Sequence, residues 1–525
     1  MGLRFLITTL VLLGLHAAHG QEFVQHHVPN DTISGEPPVV GVLPSGEVWM
    51  AWTTQDIRTS PWTSRLHIRK LDAAGQLLLA NDLRFPNPGA WLRLSGATVL
   101  PNDGVALYGH FDSQGVLIRV DANAGLVAVT HMSMSNFGEQ FSDVLVRPDG
   151  SLMVLGWCRT GGEWLPYVVH TDANGVLVDA WSDRIPGMEG AMRFAKPTVD
   201  GGILLFGSHF AGVDSSGMQV VKLDSTGAME WGRSLAARQL VPVQALQRTD
   251  GGWLVLAEQL IEQGVLSGAP VLLRMDADGT FGPNRRIWAD QQSSSPYGIS
   301  SLDRLPDGTM VACALVGALD GTVLFTLDST GTPEPSARLV PDSGLVTAVR
   351  ALALANGDLL LRGARVAPAI GRAAPLIARW DPANAFPCGS TTVPVLTDSI
   401  VPVLDSTFVR IPLSPTVVDI TAQIVPDTIT WTVSNPCAIS TVVHATPGVG
   451  DGLRVFPDPA VDRVQVEGLA GMQALLLFDA QGDLVARWAS PFPQVMELPT
   501  LADGLYFMRA TNGEGVRSAR LMVLH

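Results

Sequence analysis

A chain of 525 residues is too long for one ordinary core and calls for two or three domains. Charged residues make up 16 % of it, whereas Gly (53) and Pro (36) are plentiful, a balance that suits short strands joined by many turns. The formal net charge of −15 repels nucleic acid, which needs basic patches to displace counterions, and works against docking by charge onto anionic lipid.

The chain opens with Arg4, an apolar run from Phe5 to Leu15 and the small-residue site Ala18-His19-Gly20. That order predicts a cleavable signal peptide over residues 1–20, leaving Gln21 as the new N-terminus. The run is short for a membrane span and no second one follows, so the mature chain is expected to hold no transmembrane helix. Export implies an oxidising compartment.

From residue 21 to 387 the sequence repeats. An Asp turn recurs as LDAAG, VDANAG, TDANG, LDSTG, MDADG, LDSTG and WDPAN. Its aspartates are Asp72, Asp121, Asp172, Asp224, Asp276, Asp328 and Asp381, spaced by 49 to 53 residues. A second turn (PSG at 44, PNDG at 101, RPDG at 147, VDGG at 199, TDGG at 249, LPDG at 305, ANGD at 355) precedes an apolar run each time. Four short strands, a to d, fit each period, with Gly turns at a–b and Asp turns at c–d. Seven such units predict an all-β, seven-bladed β-propeller of four-stranded blades, a closed ring that protects its sheet edges. The last unit lacks a good strand after Asp381. The strand-like EFVQHHV at 22–28 is expected to supply it and close the ring. The copies Asp200-Gly201-Gly202, Asp250-Gly251-Gly252 and LDSTGAMEW (223–231) resemble repeats of Bacteroidetes-type proteins that carry sorting domains, a resemblance that implies a fold and no activity.

Residues 388–445 break the period and alternate as strands do, as in VPVLTDSIVPVLDSTFVRIPL. They read as a small β-segment or spacer closed by a disulfide between Cys388 and Cys437. Cys158 and Cys313 lie in apolar strands and are expected to be buried thiols.

Residues 446–525 form the last region. LRVFPDPAVDRVQVEG (453–468), ALLLFDAQGDLVARW (474–488) and LADGLYFMRATNGEGVRSARLMVLH (501–525) resemble the type IX (Por) secretion C-terminal sorting domain, with Asp458 where that family usually has Asn between the prolines. The resemblance implies a C-terminal Ig-like β-sandwich in 451–525 that the type IX secretion machinery reads. It also implies a route through the periplasm to the outer-membrane cell surface or the medium.

No H-E-x-x-H, G-x-S-x-G, phosphate loop or dinucleotide fingerprint occurs, and neither metal nor organic cofactor is called for. His26-His27 would point to opposite faces of a strand, a poor metal site. The repeated aspartates read as turn chemistry, because Asp can bond its own backbone while Gly takes positive φ. The irregular b–c and d–a loops on the opposite face are the place for recognition. They carry Trp62, Trp91, Phe137, Glu139, Glu163, Trp164, Arg193, His209 and Tyr297 as ligand-binding candidates, with Asp56, Asp183, Phe210 and Asp290 nearby. Aromatic faces beside carboxylates suit an extracellular glycan or protein ligand. The expected function is non-enzymatic binding or adhesion. The alternative is a polysaccharide hydrolase or lyase with a carboxylate pair on that face.

Overall fold

A computed structural model describes residues 23–29, 34–35, 37–56, 63–85, 89–133, 138–186, 188–210, 217–236, 240–260, 268–289, 297–316, 321–341, 350–367, 372–384, 391–400, 403–404, 408–427, 431–434, 453–456, 460–479, 484–493, 495–512 and 516–523. The expected signal peptide, Cys388 and Cys437 lie outside the described residues. The chain falls into two compact units, Met1–Cys437 and Ala438–His525. The described residues are strands and turns, with one short 3-10 turn at Thr421–Gln423. No helix among them is long and apolar enough to cross a membrane.

Each sequence repeat forms one small antiparallel group of strands. The second sheet, for example, runs Leu92–Val99, Val105–Phe111, Gln114–Val120 and Leu126–Ser133. The third runs Glu139–Val146, Leu152–Thr160, Glu163–Thr171 and Leu177–Arg184, and the fourth Glu189–Pro197, Ile203–Phe210, Gly217–Leu223 and Met229–Ala236. The seventh holds Arg350–Ala353, Leu359–Ala367 and Arg372–Trp380, and its fourth strand is Phe23–Pro29 from the other end of the chain. The register Phe23↔Arg379 to His26↔Leu376 places that strand where the sequence reading expects it.

Consecutive sheets bury apolar cores between them. Val116 and Phe111 of the second pack with Leu66 and Ile68 of the first, and Phe206 of the fourth with Val255 and Leu273 of the fifth. Leu360 and Ile377 of the seventh pack with Val48, Met50 and Trp52 of the first, so the series returns on itself. Side chains of non-adjacent sheets also interact: Lys196 of the fourth lies within charge reach of Asp303 of the sixth. The inner strands of the fourth and sixth sheets therefore approach one another.

Both turn families carry out the chemistry their residues imply. Oδ1 of Asp72, Asp121, Asp172, Asp224 and Asp328 each accepts two backbone N–H groups, two and four residues on, at 2.7–2.9 Å. The residue three after the Asp takes positive φ, as at Gly75 (82°) and Gly227 (90°), where glycine pays no Cβ penalty. At VDANAG that position is Ala124 (64°), not the Gly that follows it. Asp turns are also tied to the preceding sheet: Asn81 Nδ2 donates to Ala124 O at 2.7 Å, Arg147 to Ser225 O at 2.9 Å, and Arg379 to Ala73 O.

Among the described residues, the segment after the repeats forms no sheet of its own. It runs back around the outside and adds an outer strand to sheet after sheet. Thr391–Ile400 pairs with both the sixth and the fifth, joining them into nine strands. Val403–Leu404, Val409–Pro412, Thr416–Asp419, Val425–Pro426 and Trp431–Ser434 then pair with the fourth, third, second, first and seventh. The edge strands that a spacer would leave exposed are thereby covered. Arg410 anchors this belt, meeting the fully buried Asp183 through two 2.7 Å bonds and lying 4.7 Å over the Trp181 ring. Phe408 fills the space that Gly232 leaves, where a Cβ would come within 2.2 Å of its ring.

In the second unit, Arg454–Phe456, Arg463–Glu467 and Met496–Glu497 form one sheet, and Leu484–Ala489, Ala474–Phe478, Gly504–Thr511 and Val516–Val523 another. Val464, Met496, Leu475, Leu477, Met508 and Leu521 share one core between them.

Candidate functional site

The innermost strands of the second to sixth sheets each carry a bulge near the loop end, for instance between Phe141 and Asp143 and between Met192 and Phe194. The next strand keeps a small residue beneath it. A Cβ on Gly109 would stand 2.0 Å from Arg93 O, on Gly156 2.2 Å from Gln140 O, and on Gly207 2.6 Å from Ala191 O. Alanines 257 and 314 hold the matching positions of the fifth and sixth sheets. An extra residue in a strand re-aims a side chain. In the fourth sheet the residue so placed is Arg193.

Arg193 lines a pocket of about 480 Å³ with Gln140, Trp157, Trp164, Glu189, Gly190, Ala191 and Phe210. Its aromatic wall comes from the b–c hairpin of the third sheet. Gly161 and Gly162, at φ 60° and 93°, close a two-residue turn between Thr160 and Glu163. Positive φ at both positions matches the twist of a tight hairpin. The hairpin sets Arg159 opposite Trp164, with the guanidinium 5.6 Å over the ring, and brings Trp157 edge-on to Trp164 at 4.4 Å and 73°. Glu189 Oε2 accepts the Trp164 backbone N–H at 3.2 Å, so the third sheet's hairpin and the fourth sheet's inner strand are fixed together. Gln140 Nε2 donates to Ser95 Oγ at 3.0 Å.

Burial pushes the Arg193 guanidinium down and the Glu258 carboxyl up, and each offsets part of the other's shift through its charge. Among the described residues, Arg193 Nε is buried without a hydrogen-bond partner. The pocket thus offers flat aromatic surface, an amide, a carboxylate and a cation, an arrangement able to stack on a ring and hydrogen-bond its substituents.

Of the residues named from sequence, Trp164, Arg193 and Phe210 line this pocket. Glu139 is a buried neighbour, 2 % exposed, whose charge adds to the burial that pushes the Cys158 thiol up to about 12. His209 is buried with Nε2 2.9 Å from Ser234 Oγ, and Glu163 faces solvent 3.4 Å from Arg184. Trp91 is exposed just before the first strand of the second sheet, outside the pocket. Trp62 and Phe137, and the side chain of Tyr297, lie outside the described residues. Asp183 belongs to the belt anchor. Both Cys158 and Cys313 are buried. Gln140, Trp157 and Glu189 were not singled out by the sequence. Trp157 sits in the apolar run LMVLGWC and reads as core, although its place just before Gly161-Gly162 marks the end of a strand.

A larger cleft of about 660 Å³ lies at the turn end, between the sixth and seventh sheets. Polar groups on its wall are already engaged, as Arg338 is with Asn384 O at 2.7 Å and Asp307 with the Thr309 N–H at 2.9 Å. No group of three or more metal-ligating side chains occurs among the described residues.

No family model and no curated protein sequence matches this chain. Among solved structures, a protein of unknown function from Dyadobacter fermentans is similar at 12 % identity and a TM-score of 0.42, over 68 % of this chain and 98 % of its own. The polysaccharide lyase Uly1 is similar at 9 % identity and 0.38, over 65 % and 89 %. A neuraminidase-like protein of subtype N11 from an influenza virus of the flat-faced bat is similar at 10 % and 0.35, over 70 % and 96 %. These are weak likenesses, and the chemistry of the pocket rests on its own residues.

Proposed function

We propose that residues 23–434 form a seven-bladed β-propeller, belted by its own C-terminal strands, that binds an extracellular saccharide in the pocket of Trp157, Trp164 and Arg193. Support for the ring comes from the core that joins the seventh sheet to the first, and from the N-terminal strand built into the last sheet. The observation that carries the binding reading is the composition of the pocket. Two tryptophans set edge to face stand beside Gln140, Glu189 and Arg193, and Glu189 is the one carboxylate among its described lining residues. Acid–base cleavage of a glycosidic bond uses two carboxylates flanking the bond, so this lining favours binding. The raised Glu258 beside Arg193 is the observation that favours the second reading, a hydrolase or lyase.

We propose further that 446–525 is an Ig-like type IX sorting domain and that the chain is exported through the periplasm to the cell surface or medium. Two sheets over one core support the sandwich, as does Tyr506, whose hydroxyl donates to Ala502 O at 2.9 Å in the manner of a tyrosine corner.

Screening the full chain on a glycan array, beside a Trp164→Ala variant, tests the binding reading. Saccharide binding that the variant loses supports it, and absence of any glycan bound by the folded wild type sinks it. Release of shortened sugar chains from a bound polysaccharide, abolished by Glu258→Gln, would establish the enzyme instead.

A further inference from the structure

The inner strands converge on charged side chains that the loop-side pocket does not use. The same rung of the sheets is Phe194 opposite Phe206 in the fourth, Ser301 opposite Cys313 in the sixth, and Arg350 opposite Arg362 in the seventh. Like charges placed directly across a strand pair repel, and nothing in the repeat demands them.

Among the described residues, the neighbours of this pair are already engaged with other groups. Arg362 donates to the carbonyl of Pro38, and its Nε is buried with no partner among the described residues. Arg350 keeps exposed surface, and its side chain makes no hydrogen bond or ion pair within the described residues. Tyr108 feels the charge of both guanidiniums, but its hydroxyl already donates to Asp143 Oδ1 at 3.1 Å. A Cβ at Gly96 would strike the Tyr108 ring, so it is the glycine that lets the tyrosine reach inward. Asp143, the carboxylate within charge reach of Arg350, is further engaged by the Ala195 N–H at 2.9 Å and lies near Lys196. Asp303, also near Lys196, accepts the Ala353 N–H at 2.8 Å. Among the described residues, three cations therefore face two carboxylates that are already hydrogen-bonded, inside a protein whose net charge is −15. Burial and the neighbouring Arg350 push the Arg362 guanidinium down to about 9, and burial pushes both carboxyls up.

We propose that Arg350 and Arg362 form an axial site for a small oxyanion, a carboxylate, sulfate or phosphate group, which bridges the two guanidiniums. Planar N–H forks match such groups, and one added negative charge relieves the cross-strand repulsion. The site is separate from the tryptophan pocket and does not depend on the saccharide reading.

Titrating the full chain with sodium sulfate, phosphate and glucuronate, each against chloride at matched ionic strength, tests it by melting temperature and calorimetry. At least one oxyanion should raise the melting temperature above the chloride control, because a ligand of the folded state stabilises it by mass action. Arg350→Gln, a change at an exposed side chain, should weaken that binding by about tenfold or more, while Trp164→Ala leaves it unchanged. Arg362→Lys serves as a second variant, keeping the charge but losing the fork, with a smaller loss expected. A response to glucuronate alone identifies an acidic-sugar or organic carboxylate source, and one to sulfate or phosphate alone an inorganic or ester source. No oxyanion effect beyond chloride, or an equal effect in Arg350→Gln, overturns the proposal.

Discussion

At one end of each repeat the chain turns through the same few residues. At the other end the connecting sequences differ from repeat to repeat. The Asp and Gly turns spend their polar atoms on their own backbone and on the neighbouring sheet, as Asp224 does with the N–H groups of Thr226 and Ala228. The loop end of the third and fourth sheets instead leaves Trp157, Trp164 and Arg193 around an open pocket. Repetition here marks residues that build the scaffold, and a broken repeat marks where a ligand could be read. The loop end is itself mixed, however. Asp183 has the composition of a site carboxylate and the surroundings of a structural one, fully buried against Arg410 and the Trp181 indole.

The largest expected effect tests that division. Asp183→Ala strips the belt's arginine of its buried partner and should cost about 3–5 kcal/mol in urea unfolding. A loss under about 1 kcal/mol would show that the belt is held elsewhere. Trp164→Ala should weaken saccharide binding by tenfold or more, about 1.4 kcal/mol, with a stability cost of about 1 kcal/mol from the lost aromatic pair. Equal losses of binding in Trp164→Ala and Trp91→Ala would move the site away from this pocket. At the turn end, Gly227→Ala meets no atom within 4 Å, so its cost is the left-handed backbone alone, about 1 kcal/mol by thermal melting. No change there would mean the turn relaxes to another form.

The smallest effect is on the acid limb. Bonds to Thr226 hold the Asp224 carboxyl below its ordinary range, and bonds to Thr330 and Thr332 do the same for Asp328 against the opposing pull of burial. A depressed folded-state pKa gives stability that is complete above the unfolded value of about 3.9 and is lost as pH falls through the folded one. The double change of Asp224 and Asp328 to Asn should flatten the stability profile below pH 4, because it removes the extra stability the wild type holds near neutrality and leaves the two proteins alike in acid. A profile that stays parallel to wild type would show that these turns do not couple to protonation.

Turn chemistry and strand order were legible in the sequence because both are local. Asp72 to Asp381 fall at a fixed spacing, and each turn needs only its own few residues. The closing role of Phe23–Pro29 was legible as an unfilled place in the last repeat. The belt was not, since alternating strands in 391–434 fit a separate sheet as well as an outer one, and what distinguishes them are long-range contacts such as Arg410–Asp183. Part of the pocket was hidden for a related reason: Trp157 reads as core within an apolar run, and Gln140 and Glu189 carry no local signal that sets them apart.

Calorimetric titration of one array-identified saccharide into the full wild-type chain, Trp164→Ala and Asp224→Asn tests the contrast between the two ends most directly. The account predicts a loss of tenfold or more for the tryptophan variant and wild-type affinity for the turn variant. Wild-type affinity in Trp164→Ala, or an equal loss in both, would contradict it.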